Sequence, residues 1–391
     1  MISVKQAINT IENESKPLSG ELINVKHSIG HCLNQDIISE IDMPPFNQSA
    51  MDGYALNYDS YLNTYRVIGE IKAGDDCSRF ILQKGECIRI FTGAAVPKSA
   101  TTIIQQEWCN NKNNVLSFNK KIKDSLNIRN KGEQIRQGDT ILNKNHLINP
   151  ASIGLISTVG INNINIIRKA KVAIVITGDE LIKTTDEIKE GSIFESNSSM
   201  LCGALNKYGY DNINIYFTKD TRQDTESTIS QAIKENDLIL VSGGISVGDY
   251  DFVKFAFDKL NVKKQFYKIN QKPGKPMFFG TKDDKYIFGL PGNPGASLTC
   301  FYIYVLRCLS IISKKEYPLS QIKVKLTSAY IKKSSRSEFI KANVKNNQAE
   351  ICSHQSSAML LSFAKANALV FIDESVSEVS NKDDLDAYLL L

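Results

Sequence analysis

The chain has 391 residues, 42% hydrophobic and 23% charged, which is ordinary globular material and enough for roughly two to four domains. Its 47 basic and 42 acidic residues leave a net charge of +5, a mild excess that does not point to a nucleic-acid partner, which calls for a concentrated basic stripe. Eight cysteines without a CxxC pair read as free thiols of a reducing cytoplasm rather than a disulfide framework.

The N-terminal stretch "MISVKQAINTIENESKP" places Ile2, Val4, Ala7, Ile8 and Ile11 on one helical face, and the helix is expected to stop before Pro17. It lacks the continuous apolar run of a secretory signal. His27 and His31, with Cys32 adjacent, have the i, i+4 spacing of a zinc pair, but Gly30 interrupts the segment and no further His is near. From Tyr65 to Leu142, short alternating runs punctuated by Gly, Asn and Pro predict a β-rich region. "NPASIGLISTVG" returns to helical spacing.

From Lys171 to Ser313, buried strands ("KVAIVIT", "NINIYFT", "DLILVSGG") alternate with helices, the pattern of a parallel α/β sheet. The apolar "ASLTCFYIYVLRCLSII" contains Arg307 and reads as a buried helix, not a membrane span. From Gln321 onward, short strands and turns predict a β domain.

In such a sheet, ligands bind beyond the carboxyl ends of the strands. Three consecutive strands end in acids: Asp179 and Glu180, then Asp220, then Asp249 and Asp251. The next ends in Lys268, with Lys272 and Lys275 in the following loop. Each acid alone has a second reading as a helix cap. Together, carboxylates and lysines suit a phosphate ester or pyrophosphate held through Mg²⁺ or a similar divalent ion on one or two of these acids. The glycine-rich Ser242, Gly243 and Gly244 are expected to bring backbone N–H groups to an anion. "SGGISVG" is neither GxGxxG nor a Walker A loop, and no GxSxG is present. Upstream, Ser49, Asp52, Thr92 and Arg129 lie in turn-like stretches that turn chemistry alone also explains. Near the C-terminus, Arg336, Ser356 and Ser357 are residue types that can bind an oxyanion.

Taken in order, "PPFNQSAMDGYA", "RIFTGAAVP", "TGDEL", "FESNSSML", "SGGISVGDYDF", "KPGKP" and "LPGNP" resemble the molybdopterin molybdenumtransferases, a family that includes the gephyrin E-domain. The resemblance implies a doubly wound α/β molybdopterin-binding domain (169–318) and a discontinuous N-terminal domain (1–50 and 140–168) carrying an inserted β-rich domain (51–139). A small C-terminal β domain (319–391) would close the chain. It implies a cytoplasmic homodimer, without nucleic acid or membrane, that converts adenylylated molybdopterin and molybdate to molybdenum cofactor and AMP with Mg²⁺. The adenylyltransferase of the same pathway is a possible partner on that resemblance. By motif position, the resemblance assigns reacting roles to Asp52, Glu180, Asp220, Asp251, Lys268, Lys272 and Lys275. It assigns substrate contacts to Thr92, Arg129, Pro291, Pro294, Arg336 and Ser357, with Asp52, Thr92 and Arg129 completing the partner subunit's cleft. Asn47, Gln134, Lys341 and Ser356 depart from the family pattern. Two other readings stay open: an adenylyltransferase or nucleotide hydrolase on the same α/β fold, and a non-catalytic scaffold.

Overall fold

The computed structural model describes residues 1–182, 185–245 and 252–390. The chain divides into two compact units. One comprises Met1–Glu21, Gly30–Cys32 and Ile167–Leu391, and the other Leu22–Ile29 and Leu33–Ile166.

The first unit begins with helix α1 (Val4–Glu14), started by a capping box between Ser3 and Gln6. Its apolar face (Val4, Ala7, Ile11) joins the larger core of the α/β sheet. That sheet has six strands. In chain order they are β1 (Val172–Thr177), β2 (Ile213–Thr218), β3 (Leu238–Ser242), β4 (Lys263–Tyr267), β5 (Phe278–Lys282) and β6 (Lys285–Leu290), arranged in space as β2-β1-β3-β6-β5-β4. Strands β2, β1, β3 and β6 are parallel, whereas β5 runs antiparallel to both β6 and β4. The parallel sheet expected from the strand–helix alternation is present in β2, β1, β3 and β6, and antiparallel β5 makes the whole sheet mixed. The exception comes from a hairpin whose loop is Asp283–Asp284, with Asp283 in the left-handed region at φ 51°.

Helices cover both faces. On one, α2 (Asn197–Lys207) and the Pro294–Ile312 helix pack on Ile174, Ile176, Leu240 and Phe288. On the other, α3 (Arg222–Glu235) and α4 (Phe252–Lys259) pack on Ala173, Val175, Ile239 and Val241. The Pro294–Ile312 helix, apolar and long enough to span a membrane, is instead mostly buried in this core. Phe301–Val305 within it is π-helical.

The C-terminal strands Gln321–Leu326, Ser337–Lys345, Gln348–Ile351, Ala368–Ile372 and Leu385–Leu389 pair into a closed ring around their own core, which includes Val324, Ile340 and Val370. The two-residue strand Gln271–Lys272, from the loop after β4, pairs in parallel with Ser337 and Glu338 on its rim.

The second unit holds a six-stranded β sheet, with strands drawn from Gly53–Leu56 to Val115–Phe118, and the helix Pro150–Thr158 capped by Asn149. The β-rich texture and the later helix are where the sequence pattern places them.

Candidate functional site: a cavity at the carboxyl ends of the parallel strands

Strands β1, β2, β3 and β6 all end at one edge of the sheet, where their loops line a cavity of about 590 Å³. Thr177 ends β1 and Gly178 and Glu180 follow it, Asp220 follows β2, Ser242 ends β3 and Gly243 and Gly244 follow it, and Pro291, Gly292, Asn293 and Pro294 follow β6. Of the residues singled out from the sequence, Glu180, Asp220, Ser242, Gly243, Gly244, Pro291 and Pro294 thus meet in one cavity.

The side chains are held in place from behind. Asp220 Oδ1 accepts a hydrogen bond from the Thr177 hydroxyl, and the Asp220 N–H donates to Asp179 Oδ1 at 3.2 Å. Asp179 therefore caps its neighbour's loop. Asn197, at the start of α2, donates from Nδ2 to Ser242 Oγ and to the Gly292 carbonyl, both at 2.8 Å. One amide ties together three walls. Glu195 receives the Ser198 N–H at 2.8 Å and the Ser198 hydroxyl, which fixes the first turn of α2. Thr177, Glu195, Asn197 and Asn293 were not singled out from the sequence, although the last three stand inside "FESNSSML" and "LPGNP". Their polarity within those motifs was the available signal.

For Gly243 the expectation of a backbone N–H facing an anion does not hold. The Gly243 N–H donates to the Leu290 carbonyl at 3.3 Å and is not free for an anion. At φ 96°, Gly243 packs so closely that a Cβ would lie 2.7 Å from the Thr177 carbonyl oxygen, and a Cβ on Gly244 would meet Val253 at 2.6 Å. These glycines shape the wall by close approach. Asp249 and Asp251 lie outside the described residues, and among those residues no group of three or more His, Cys, Asp or Glu could hold a metal. His31 Nδ1 lies 3.3 Å from the Ile167 carbonyl and Cys32 Sγ lies 3.0 Å from that of Lys314, so this pair is engaged with backbone.

Among the described residues, Lys268, Lys272 and Lys275 do not line the cavity; Lys272 lies in the short strand that pairs with Ser337 and Glu338 of the C-terminal ring. Lys268 has φ 70° and sets its ammonium 5.0 Å from the Tyr267 ring centroid. Lys272 pairs with the buried Glu338 at 3.3 Å. Lys275 is exposed, and the next residue, Pro276, lines the cavity. Arg336 donates to the Gln271 carbonyl at 3.2 Å. Ser357 Oγ accepts from Asn293 Nδ2 at 3.0 Å, its carbonyl accepts the Ala296 N–H at 3.1 Å, and neighbouring Ala358 lines the cavity. Lys341, one of the departures from the family pattern, is 3% exposed and donates to the carbonyls of His354, Ser356 and Met359, each at 3.2 Å. Burial pushes its pKa down. It anchors the loop that carries Ser357 onto the start of the Pro294–Ile312 helix.

In the second unit, Asp52 Oδ1 accepts both the N–H and the hydroxyl of Thr92 at 2.8 Å, and these bonds hold its carboxyl below the usual range. Arg129 lines a separate hollow of about 290 Å³ with Gln48, Glu133 and Gln134. Asn47 Oδ1 accepts the Lys131 N–H at 2.8 Å.

The sequence matches three family models end to end: the MoeA N-terminal region (domain I and II) over residues 2–160, a probable molybdopterin binding domain over 173–310, and the MoeA C-terminal region (domain IV) over 323–390. It is 31% identical over 385 residues to the molybdopterin molybdenumtransferase of Staphylococcus epidermidis strain RP62A, covering 95% of this chain and 91% of that protein. The molybdopterin molybdenumtransferase of Staphylococcus aureus strain Mu50 is 30% identical over 380 residues, covering 95% and 89%. The crystal structure of the molybdopterin biosynthesis moeA protein from Pyrococcus horikoshii superposes with a TM-score of 0.86 at 28% identity, covering 100% of this chain and 99% of that one. With its multidomain fold and near-full-length matches agreeing, the chain belongs to the molybdopterin molybdenumtransferase family.

Proposed function

We propose that this chain inserts molybdenum, converting adenylylated molybdopterin and molybdate to molybdenum cofactor and AMP. The observation that carries the reading is the cavity itself. Two carboxylates, Glu180 and Asp220, and a close-packed glycine wall stand at the carboxyl edge of the sheet; Lys275 and Ser357 each precede a residue that lines the cavity, Pro276 and Ala358, and Arg336 bonds the Gln271 carbonyl next to Lys272. A pyrophosphate linking AMP to a pterin needs such a concave, partly acidic site only if a cation mediates. Molybdate, a tetrahedral dianion, needs ammonium, guanidinium and hydroxyl donors.

The donor set fits a hard divalent ion. Mg²⁺ takes one or two carboxylates and completes its shell with water and phosphate oxygens, so Glu180 and Asp220 would hold it, with Asp251 as a third candidate. When bound, it would neutralise charge on the departing AMP. Asp220 is kept oriented by Thr177, and Ser242, Gly243 and Gly244 bring the wall close to the substrate. Lys268, Lys272 and Lys275 balance phosphate and molybdate charge. Arg336 and Ser357 contact oxyanion oxygens, and Pro291 and Pro294 shape the substrate contact.

The functional molecule is a cytoplasmic homodimer in this reading, with Asp52, Thr92 and Arg129 of one subunit completing the cleft of the other. The four-domain division draws support from two apolar cores in the inserted β-rich segment, one around Leu33, Ile148 and Ile166, and one inside the C-terminal ring, while the larger core of the α/β sheet also takes in α1 and Phe339, Leu369 and Tyr388.

The test supplies adenylylated molybdopterin, molybdate and Mg²⁺ to the purified protein and follows AMP. Release that depends on molybdate supports insertion. Turnover of ATP with molybdopterin would instead indicate an adenylyltransferase, and inertness in both assays a scaffold. Asp220→Asn should lower AMP release by about 10²-fold, the scale for losing one fixed electrostatic partner at a reacting centre. A variant releasing AMP at the wild-type rate would remove Asp220 from the site.

A further inference from the structure

Beneath the Lys272–Lys275 turn lies a polar pair buried in the apolar core. Gln271 and Tyr304 are both fully buried. Gln271 Oε1 accepts the Tyr304 hydroxyl, and Gln271 Nε2 donates to the Pro273 carbonyl at 2.9 Å. The Gln271 backbone carbonyl accepts the Arg336 guanidinium at 3.2 Å. One residue therefore touches the lysine-bearing turn through its side chain and the arginine through its backbone. The turn is pressed onto this pair: a Cβ on Gly274 would lie 2.6 Å from Cys300 Sγ and 2.8 Å from Gln271 Nε2.

Tyr304 reaches Gln271 from the π-helical stretch Phe301–Val305. A π turn is energetically poorer than the α-helix it interrupts and often marks a functional position. Burial raises the Tyr304 hydroxyl pKa well above its ordinary value, so it stays protonated and donates. That donor decides which end of the Gln271 amide is oxygen, and the NH₂ group is left facing Pro273. Without it, the amide is free to turn its oxygen toward the Pro273 carbonyl, a repulsive pairing.

We propose that Tyr304 and Gln271 are positioning residues that set the aim of Lys272, Lys275 and Arg336, and through them the affinity for the incoming tetrahedral oxyanion. The inference rests on the reading of those cations given above. A merely structural pair would affect stability and both substrates alike. A positioning pair acts more strongly on molybdate, whose oxygens rest on these cations, than on the pterin substrate, whose phosphate is also held through Glu180 and Asp220.

The experiment measures KM for molybdate, KM for adenylylated molybdopterin, kcat and the melting temperature of the intact enzyme. It compares Tyr304→Phe, the double variant Tyr304→Phe/Gln271→Met, and Lys272→Ala as a benchmark. The double variant removes the Tyr304–Gln271 bond without orphaning either side chain but takes the Gln271 donor from the Pro273 carbonyl, so its melting temperature is expected to fall only by the scale of one lost hydrogen bond. In Tyr304→Phe and in the double variant, KM for molybdate should rise about five- to tenfold, the scale of one lost hydrogen bond. KM for the pterin substrate should move less than about twofold. Unchanged molybdate KM in the double variant, with a raised value in Lys272→Ala, overturns the inference alone. Unchanged molybdate KM in Lys272→Ala overturns the cation reading, and the inference falls with it. Equal shifts in both KM values also overturn the inference, because they mark general loosening.

Discussion

Gly243 shows how finely the cavity wall is built. Its backbone has φ 96°, its N–H is spent on Leu290, and a Cβ would stand 2.7 Å from the Thr177 carbonyl. Gly243→Ala must either strain the backbone or push Thr177 away, and Thr177 is the residue that holds Asp220. The variant should lose about 1–3 kcal/mol of stability, read from denaturant midpoints, and should bind adenylylated molybdopterin more weakly. At this scale the acids were legible in the sequence, because the strand-end rule needs only local pattern to find Glu180 and Asp220. Their holders were not. Asn197 reaches residues 45 and 95 positions away, and Gln271 meets Tyr304 33 positions on. No local spacing encodes such pairs. The left-handed Lys268 and the carbonyl-bound Lys341 are likewise products of tertiary packing.

The parallel strands are pinned at the edge opposite the cavity by one carboxylate. Asp237, before β3, is 5% exposed and takes Arg168 in a two-pronged pair at 2.6 and 2.7 Å, with the Lys171 N–H at 2.9 Å and Lys285 at 3.5 Å. It thereby joins the beginnings of β1, β3 and β6. Burial alone would raise its pKa, but Arg168 and the Lys171 amide outweigh that and hold it below the usual value. A carboxyl whose folded pKa is depressed contributes stability above its unfolded pKa of about 4 and loses it as pH falls through the folded value. Asp237→Asn should therefore cost about 3–5 kcal/mol at neutral pH, since it strands a half-buried guanidinium. Melting curves of the wild type should fall more steeply below about pH 4 than those of the variant. The strands and helices were legible in their periodicities. The antiparallel β5 was not, because direction depends on how the Asp283–Asp284 link turns, and the alternation of strand and helix was read past it.

For the whole molecule, the proposed sharing of the cleft between subunits makes a quantitative demand. Asp52→Ala and Asp220→Asn would each inactivate every site of their own homodimer. Subunits of the two variants, mixed and reassorted, would form dimers in which one site carries both lesions and the other carries neither. About a quarter of the wild-type AMP release should return if a two-fold dimer shares its sites across subunits. No recovery after verified subunit exchange would confine each site to one chain. The sequence made the remote motifs visible and placed them in a β-rich insertion. Only the family resemblance, not the order of the residues, assigns them to the partner subunit's cleft, because covalent order is blind to symmetry.

Helix α1 leaves the ribosome long before the residues it packs against. Ser15 bonds to Cys308, 293 residues downstream, the Lys16 N–H to the Tyr286 hydroxyl, and the Leu18 N–H to the Ile312 carbonyl. At typical synthesis rates the helix waits roughly 15–60 s for these contacts, with Val4, Ala7 and Ile11 uncovered. The unit between Leu33 and Ile166 has all of its own residues long before then. The nascent chain is thus set to complete the Leu33–Ile166 unit before it can cover α1, and in that interval the helix is an exposed apolar surface for a chaperone to shield.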